Sequence, residues 1–138
     1  MNVPVNEIES RIKPLVDALN ATGLVRTFSS CEGHYGLDEQ TLVDRNHAYV
    51  RFVPAPRVPA RRVEDGLGQW LITYKKKHGL MPVRVIGYVL LTPIDDDIDR
   101  TYVIELHPFN RFDPADRKRS DTDWAVERLV TVISYRDV

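Results

Sequence analysis

The chain is poor in cysteine and in long apolar runs, and each absence narrows the class of protein. Cys31 is the single cysteine among 138 residues, so no disulfide can form within the chain and its stability does not depend on an oxidising compartment. No apolar stretch approaches the roughly 20 residues that a membrane-spanning helix needs. The N-terminus lacks the basic start and apolar run of a secretory signal. These features predict a cytoplasmic protein that makes no membrane contact.

An excess of charge of one sign is also missing. The chain has 19 Lys and Arg residues and 20 Asp and Glu residues, for a formal net charge of -1. Because neutralisation of phosphates dominates nucleic-acid affinity, this balance argues against nucleic-acid binding. The length and the 43% share of hydrophobic residues are typical of one globular domain. We therefore predict a single domain over residues 1–138, and leave its oligomeric state open.

The spacing of apolar residues predicts the element order α-β-β, α-β-β, α. Pro14 lies inside the first helical pattern, so that helix is either kinked at Pro14 or begins near it. The third strand pattern is apolar on both faces, which predicts a central position in the sheet. The predicted helices begin at Asn6, at Pro59 and at Ser120 or Asp121; the predicted strands cover residues 24–30, 47–53, 83–91 and 101–107.

This order predicts the α+β class, built from duplicated α-β-β units with a C-terminal helix. Helices that cover one face of paired strands favour a mixed sheet, either in a sandwich or in a partly closed barrel. The segment from Cys31 to Asn46 is polar and has no sustained period. A loop of that length in a small domain is usually functional or disordered.

The most informative segment is Ser29-Ser30-Cys31-Glu32-Gly33-His34, directly after the first predicted strand. Hydroxyl, thiol, carboxylate and imidazole groups occur here within six residues, beside a glycine that allows a sharp turn. Such a group of side chains suits a metal, a nucleophile or an anionic ligand. We predict a ligand-binding site formed by these six residues and by Arg51 on the second strand.

Antiparallel pairing of the first two strands would place Cys31 and His34 near His47. Glu105 and His107 fall on one face at the end of the fourth strand, because side chains alternate along a strand. Cys31, His34, His47 and His107 would then satisfy tetrahedral zinc, or three of them would leave a position for water. The four residues are therefore the predicted metal ligands.

Three other interpretations of the same segment stay open. Cys31 could be a nucleophile whose pKa is lowered by His34 or by backbone amides. It could equally be a small buried apolar residue, with His34 in a solvent-exposed loop. In the third interpretation, Ser29, Ser30 and the amides around Gly33 form a cradle for an anion, with Arg51 as a bidentate partner.

The SSCEGH segment resembles the SSCSGR signature of the wybutosine-synthesising tRNA methyltransferase family, including its position after a helix and a short strand. The resemblance implies methyl transfer from S-adenosylmethionine to a modified guanosine of phenylalanine tRNA. It also implies a duplicated helix-and-strand unit that forms a mixed, barrel-like sheet. Leu19 to Phe28 together with SSCEGH is more similar to small bacterial proteins that carry an SSCEGH motif, and this second likeness implies no activity.

The sequence departs from the methyltransferase signature at two positions. Glu32 stands where that family has serine, and His34 stands where it has arginine, which would weaken capture of phosphate or carboxylate. The sequence leaves three hypotheses for function. They are a small-molecule or metal site at the SSCEGH turn, a methyltransferase acting on RNA or a nucleobase-like substrate, and a non-catalytic partner-binding module. Whether the protein is an enzyme is not decided by the sequence.

Overall fold

A computed structural model describes residues 7–35 and 47–135. Its element order is the predicted one, α-β-β, α-β-β, α, and the protein belongs to the predicted α+β class. Residues 36–46, which make up most of the predicted long loop, lie outside the described residues. The elements are α1 Lys13–Ala21, β1 Val25–Cys31, β2 Ala48–Pro54, α2 Ala60–His78, β3 Val83–Ile94, β4 Asp97–Pro108 and α3 Ala115–Ser134.

The four strands form one open sheet in the order β1-β2-β4-β3. All three strand pairings are antiparallel, so the prediction of a mixed sheet is wrong, and the sheet is not closed into a barrel. Each α-β-β unit contributes one antiparallel strand pair, and the pairing of β2 with β4 joins the two units. This β2–β4 pairing is called the seam below.

The prediction that the third strand is central is also wrong. β3 is an edge strand, because β2 and β4 occupy the middle of the sheet. β3 is apolar on both faces although it is not central. Helices do not cover both of its faces, since Val89 and Leu91 are exposed.

The core lies between the helices and one face of the sheet. Val50 and Phe52 of β2 and Ile104 and Leu106 of β4 are fully buried there, and alternation along the strands directs them to the same side. The three helices contribute apolar residues to the same cluster, including Leu15, Leu19, Val63, Trp70, Leu129 and Ile133. Alternation places four other side chains on the opposite side of the sheet, namely Tyr49, Arg51, Glu105 and His107.

Helices α1 and α3 begin next to prolines and not at the predicted capping residues. Asn6 lies outside the described residues, and α1 begins only at Lys13, with Pro14 in its first turn. The interpretation in which the helix begins near Pro14 is therefore confirmed. α3 begins at Ala115, directly after Pro114 and several residues before the predicted start. Within the described part of the chain, no helix has the length and apolar character needed to cross a membrane.

Candidate metal-binding site

The seam brings together three side chains that can bind a metal. Ala48 pairs with Leu106 and Tyr49 pairs with Glu105, so His47, directly before β2, lies across from His107. Glu105 and His107 are two residues apart on β4 and therefore project from the same face. The local strand geometry explains why an imidazole from each α-β-β unit reaches the same carboxylate.

In this group, both histidines direct the same ring nitrogen at one oxygen atom. His107 Nε2 lies 2.8 Å and His47 Nε2 lies 3.2 Å from Glu105 Oε1. The two rings are 4.1 Å apart between centroids. The three side chains are only 13–20% exposed, so the group is largely withdrawn from solvent. We call it the seam triad.

The surroundings of the seam triad favour an ionised carboxylate and a neutral imidazole. Burial alone would raise the pKa of Glu105, but hydrogen bonds from Tyr88 and His107 and the proximity of His47 bring it below its ordinary value. The Tyr88 hydroxyl donates to Glu105 Oε2, the oxygen that the histidines do not use. Burial lowers the pKa of His107, and Glu105 offsets only part of this effect. These are the protonation states in which the groups bind metals.

A second group of possible ligands lies where β1 ends. Glu9, Cys31 and His34 each offer one ligand atom, and the three atoms lie within 4.8 Å of one another. His34 Nε2 is 3.4 Å from Glu9 Oε2, and these two side chains are 48% and 37% exposed. This group, called the turn triad below, is considerably more open to solvent than the seam triad.

The thiol of the turn triad is not activated. Burial raises the pKa of Cys31, and the nearby carboxylates of Glu9 and Glu32 raise it further. The Gly33 amide donates to Cys31 Sγ at 3.5 Å and acts in the opposite direction without reversing the shift. Because the thiolate is both the nucleophilic and the metal-binding form of cysteine, this environment favours an unreactive thiol at neutral pH.

Much of the SSCEGH segment is engaged in structural contacts. The Glu32 amide donates to Glu9 Oε1 at 3.0 Å, and Glu32 Oε1 accepts the Arg11 amide at 3.1 Å. At the next residue, the Gly33 carbonyl accepts a hydrogen bond from the Arg119 guanidinium at 3.1 Å. The turn is thereby fixed to the segment before α1 and to α3.

The four predicted metal ligands fall into two groups instead of one. Cys31 and His34 belong to the turn triad, whereas His47 and His107 belong to the seam triad. β1 does pair with β2 in the predicted antiparallel manner. After Cys31, however, the chain turns toward Glu9, and His34 follows it away from the seam. The two carboxylate members were not among the predicted ligands, although the Glu-x-His spacing on β4 indicated one of them.

The remaining predicted ligand-binding residues, Ser29, Ser30 and Arg51, do not converge on one site. Ser29 pairs with Arg51 in the sheet, but Arg51 is not among the residues that line the cavity beside the two serines. Ser29 and Ser30 line a cavity of about 190 Å³ beside α1, which is below the roughly 300 Å³ at which small-molecule pockets begin. The Arg51 guanidinium lies 4.8 Å from the centroid of the Tyr49 ring.

The chain was compared with protein-family models, curated proteins and solved structures, and none of them matches. The resemblance to the wybutosine-synthesising methyltransferases therefore stays a prediction.

Proposed function

We propose that the protein binds a divalent transition metal, zinc in the first instance, through His47, Glu105 and His107. The observation that carries the proposal is the convergence of two Nε2 atoms and one carboxylate oxygen within 4.8 Å. Two histidines and one glutamate are the ligands of one recurrent type of catalytic zinc site, in which a fourth position stays open.

The donor set and its setting both fit such an ion. Imidazole nitrogen and carboxylate oxygen suit zinc and iron better than they suit copper(I), which prefers sulfur. Glu105 and His107 lie on β4, and His47 directly precedes β2, so the triad lies at the two central strands of the sheet. Tyr88 binds the outer oxygen of Glu105, as partners of metal-bound carboxylates commonly do.

An open position would give the site a chemical role. A bound zinc ion supplies a Lewis acid that polarises an oxygen of a small ligand or lowers the pKa of a water molecule. Arg51 lies on the same face, two residues from Tyr49, which pairs with Glu105. Its guanidinium therefore provides a cation on the side where an anionic ligand would approach.

The turn triad is a second candidate site for the same class of ion. Cys31 offers a soft sulfur ligand that the seam triad lacks, and zinc binds such mixed sulfur, nitrogen and oxygen sets. Its greater exposure and the raised pKa of Cys31 predict weaker binding there at neutral pH, because the thiol must lose its proton when it binds the metal.

The four histidines of the chain provide the experiment. Protein purified without a histidine tag is loaded with zinc, and the bound zinc is measured for the parent and for His34→Ala, His47→Ala, His78→Ala and His107→Ala. The proposal predicts one high-affinity equivalent that is lost in the His47 and His107 variants and retained in the other two. His78 is the matched control, because its ring contacts Tyr74 and Trp124 and belongs to neither triad.

Other outcomes have equally definite meanings. Loss of zinc only in His34→Ala would move the site to the turn triad. Retention of zinc in all four variants, or a parent protein that binds none, would refute the proposal. Cobalt substitution adds a spectroscopic check, since visible absorption reports the number and type of ligands independently of protein stability.

A further inference from the structure

The outer half of the β3–β4 hairpin extends beyond the rest of the sheet. β2 pairs with β4 only from Leu106 to Tyr102, whereas β3 and β4 remain paired as far as Ile94 and Asp97. The last five residue pairs therefore form a ribbon of two strands, Leu90–Ile94 with Asp97–Thr101. An isolated two-stranded ribbon is only marginally stable in water.

This ribbon and the strand that leads into it carry apolar side chains on both faces. Leu91, Ile94 and Ile98 are 54%, 52% and 55% exposed, and Val89 is 43% exposed. Alternation places Leu90 and Ile94 on one face and Val89 and Leu91 on the other. In a monomer these apolar side chains would remain in contact with water, which is unfavourable.

The outer edge of β3 has no strand paired with it among residues 7–35 and 47–135. β3 has one neighbour, β4, among the described strands, so a row of backbone donors and acceptors faces outward. From Val85 to Leu91 the strand contains no charged residue, and the first residue that would block pairing is Pro93. Natural edge strands usually carry charges, prolines or bulges that prevent association. This strand lacks such protection over seven residues.

The charges at the two ends of β3 indicate which partner fits this edge. The hairpin tip carries four exposed aspartates at positions 95, 96, 97 and 99, whereas the other end of β3 carries the exposed Arg84. Lys75, Lys76 and Lys77 end α2 a few residues before β3. A second β3 strand running antiparallel would place its acidic tip beside this basic end, and would receive the same contact in return.

We propose that the protein forms a two-fold symmetric dimer in which the β3 strands of two copies pair antiparallel along their open edges. Such an isologous contact joins the two sheets into one continuous sheet of eight strands. It satisfies the outward-facing backbone groups from Val85 to Leu91 and places the apolar ribbon of each copy beside the β3 edge of the other copy. The inference is independent of metal binding, and its test is performed with a chelator present.

The test is the mass of the protein in solution, measured by sedimentation over a range of concentrations. The parent is expected to have the mass of two chains, and Val89→Lys and Leu91→Lys the mass of one. Phe112→Lys is the matched control, since Phe112 is an apolar side chain, 77% exposed, outside the ribbon. It is expected to remain dimeric. Circular dichroism verifies that each variant is folded.

Charge reversal tests whether the acidic tip and the basic helix end contribute to the dimer. Reversal of the tip charges in Asp95→Lys/Asp96→Lys and of the helix end in Lys75→Glu/Lys76→Glu is expected to weaken each homodimer at least tenfold. An equimolar mixture of the two variants should recover dimerisation, and high salt should weaken the parent dimer by screening.

Hydrogen exchange tests the β3 contact in the parent protein, without any substitution. The amides of Val85 to Leu91 that face outward should exchange slowly in concentrated protein and faster after dilution. A parent that stays monomeric up to about 1 mM, where even a weak complex would be half formed, overturns the proposal. So does a dimer whose mass is unchanged by both lysine substitutions in β3, or an assembly that grows beyond two chains.

Discussion

The ring of Tyr35 fills the space beside Gly33 that a side chain at position 33 would need. A Cβ atom on Gly33 would lie 2.6 Å from the Tyr35 hydroxyl oxygen, and Gly33 has a φ of +91°. Tyr35 cannot easily move away, because its hydroxyl group forms a buried hydrogen bond of 2.9 Å with the Thr122 hydroxyl. The turn after β1 therefore requires glycine for both steric and conformational reasons.

Gly33→Ala is accordingly expected to destabilise the protein by about 1–3 kcal/mol, through the left-handed backbone and displacement of the tyrosine ring. Urea unfolding measures the change. Gly68→Ala is the control, because Gly68 lies within α2 and a Cβ there would meet no atom within 4 Å. That substitution should stabilise the helix by roughly 0.5–1 kcal/mol. Equal stability of Gly33→Ala and the parent would contradict the steric account.

Two buried tyrosines differ in how their hydroxyl groups are satisfied. Tyr102 donates to Glu64 at 2.6 Å, whereas the buried Tyr74 hydroxyl has no hydrogen-bond partner among the described residues. Tyr102→Phe should therefore lower the free energy of unfolding by about 1 kcal/mol, and Tyr74→Phe should leave it unchanged or raise it by up to about 1 kcal/mol. Thermal unfolding of both variants at pH 7 tests the contrast, and a larger loss for Tyr74→Phe would refute it.

The same tyrosine predicts a dependence of stability on alkaline pH. Burial raises the pKa of Tyr74 from 10.0 to about 12. The unfolded chain releases this proton at a lower pH than the folded chain does, so the stabilisation is complete below pH 10 and is lost as the pH rises toward 12. Tyr74→Phe removes this loss. Between pH 9 and pH 11, the free energy of unfolding of Tyr74→Phe should rise by about 1 kcal/mol relative to that of the parent. Urea unfolding at each pH measures this difference. A difference that is independent of pH would contradict the assignment.

The reactivity of Cys31 should depend on the charge of Glu9. That carboxylate contributes to the raised pKa of the thiol, so Glu9→Gln is expected to lower the pKa and to increase the rate of alkylation by iodoacetamide several-fold at pH 8, with a chelator present. Asp17→Asn is the control, since Asp17 pairs with Lys13 on the exposed side of α1 and should leave the rate unchanged. An unaltered rate in Glu9→Gln would contradict a contribution of this carboxylate to the pKa of the thiol.

The order of elements was predictable because it depends on local patterns. Apolar residues at helical spacing and strand-like runs bounded by Gly and Pro are properties of short segments. Pro14 left two alternatives for the first helix, a kink or a start near Pro14, and the second is correct because a proline ring fits the first turn of a helix. The position of β3 was not predictable in this way. An apolar strand that is buried in the centre of a sheet and an apolar strand that is exposed at its edge have the same local sequence.

In the candidate sites, too, the features that depend on local sequence patterns were predictable and the others were not. Antiparallel pairing of β1 with β2 was predicted, and so was the common face of Glu105 and His107. The direction of the chain after Cys31 depends on a hydrogen bond that the Glu32 amide donates to Glu9 and on one that the Glu32 carboxylate accepts from the Arg11 amide, both partners being more than 20 positions away. Such distant partners leave no periodic signal, so the separation of the thiol from the seam histidines could be found only in three dimensions.

The position of the seam triad has a consequence for how an ion would act on the whole fold. One imidazole belongs to the first repeat, while the other imidazole and the carboxylate belong to the second. Neither α-β-β unit could hold the ion by itself, and a bound ion would link the two units. The bound ion would then stabilise the pairing of the two α-β-β units, so that it would have a structural role as well as a chemical one.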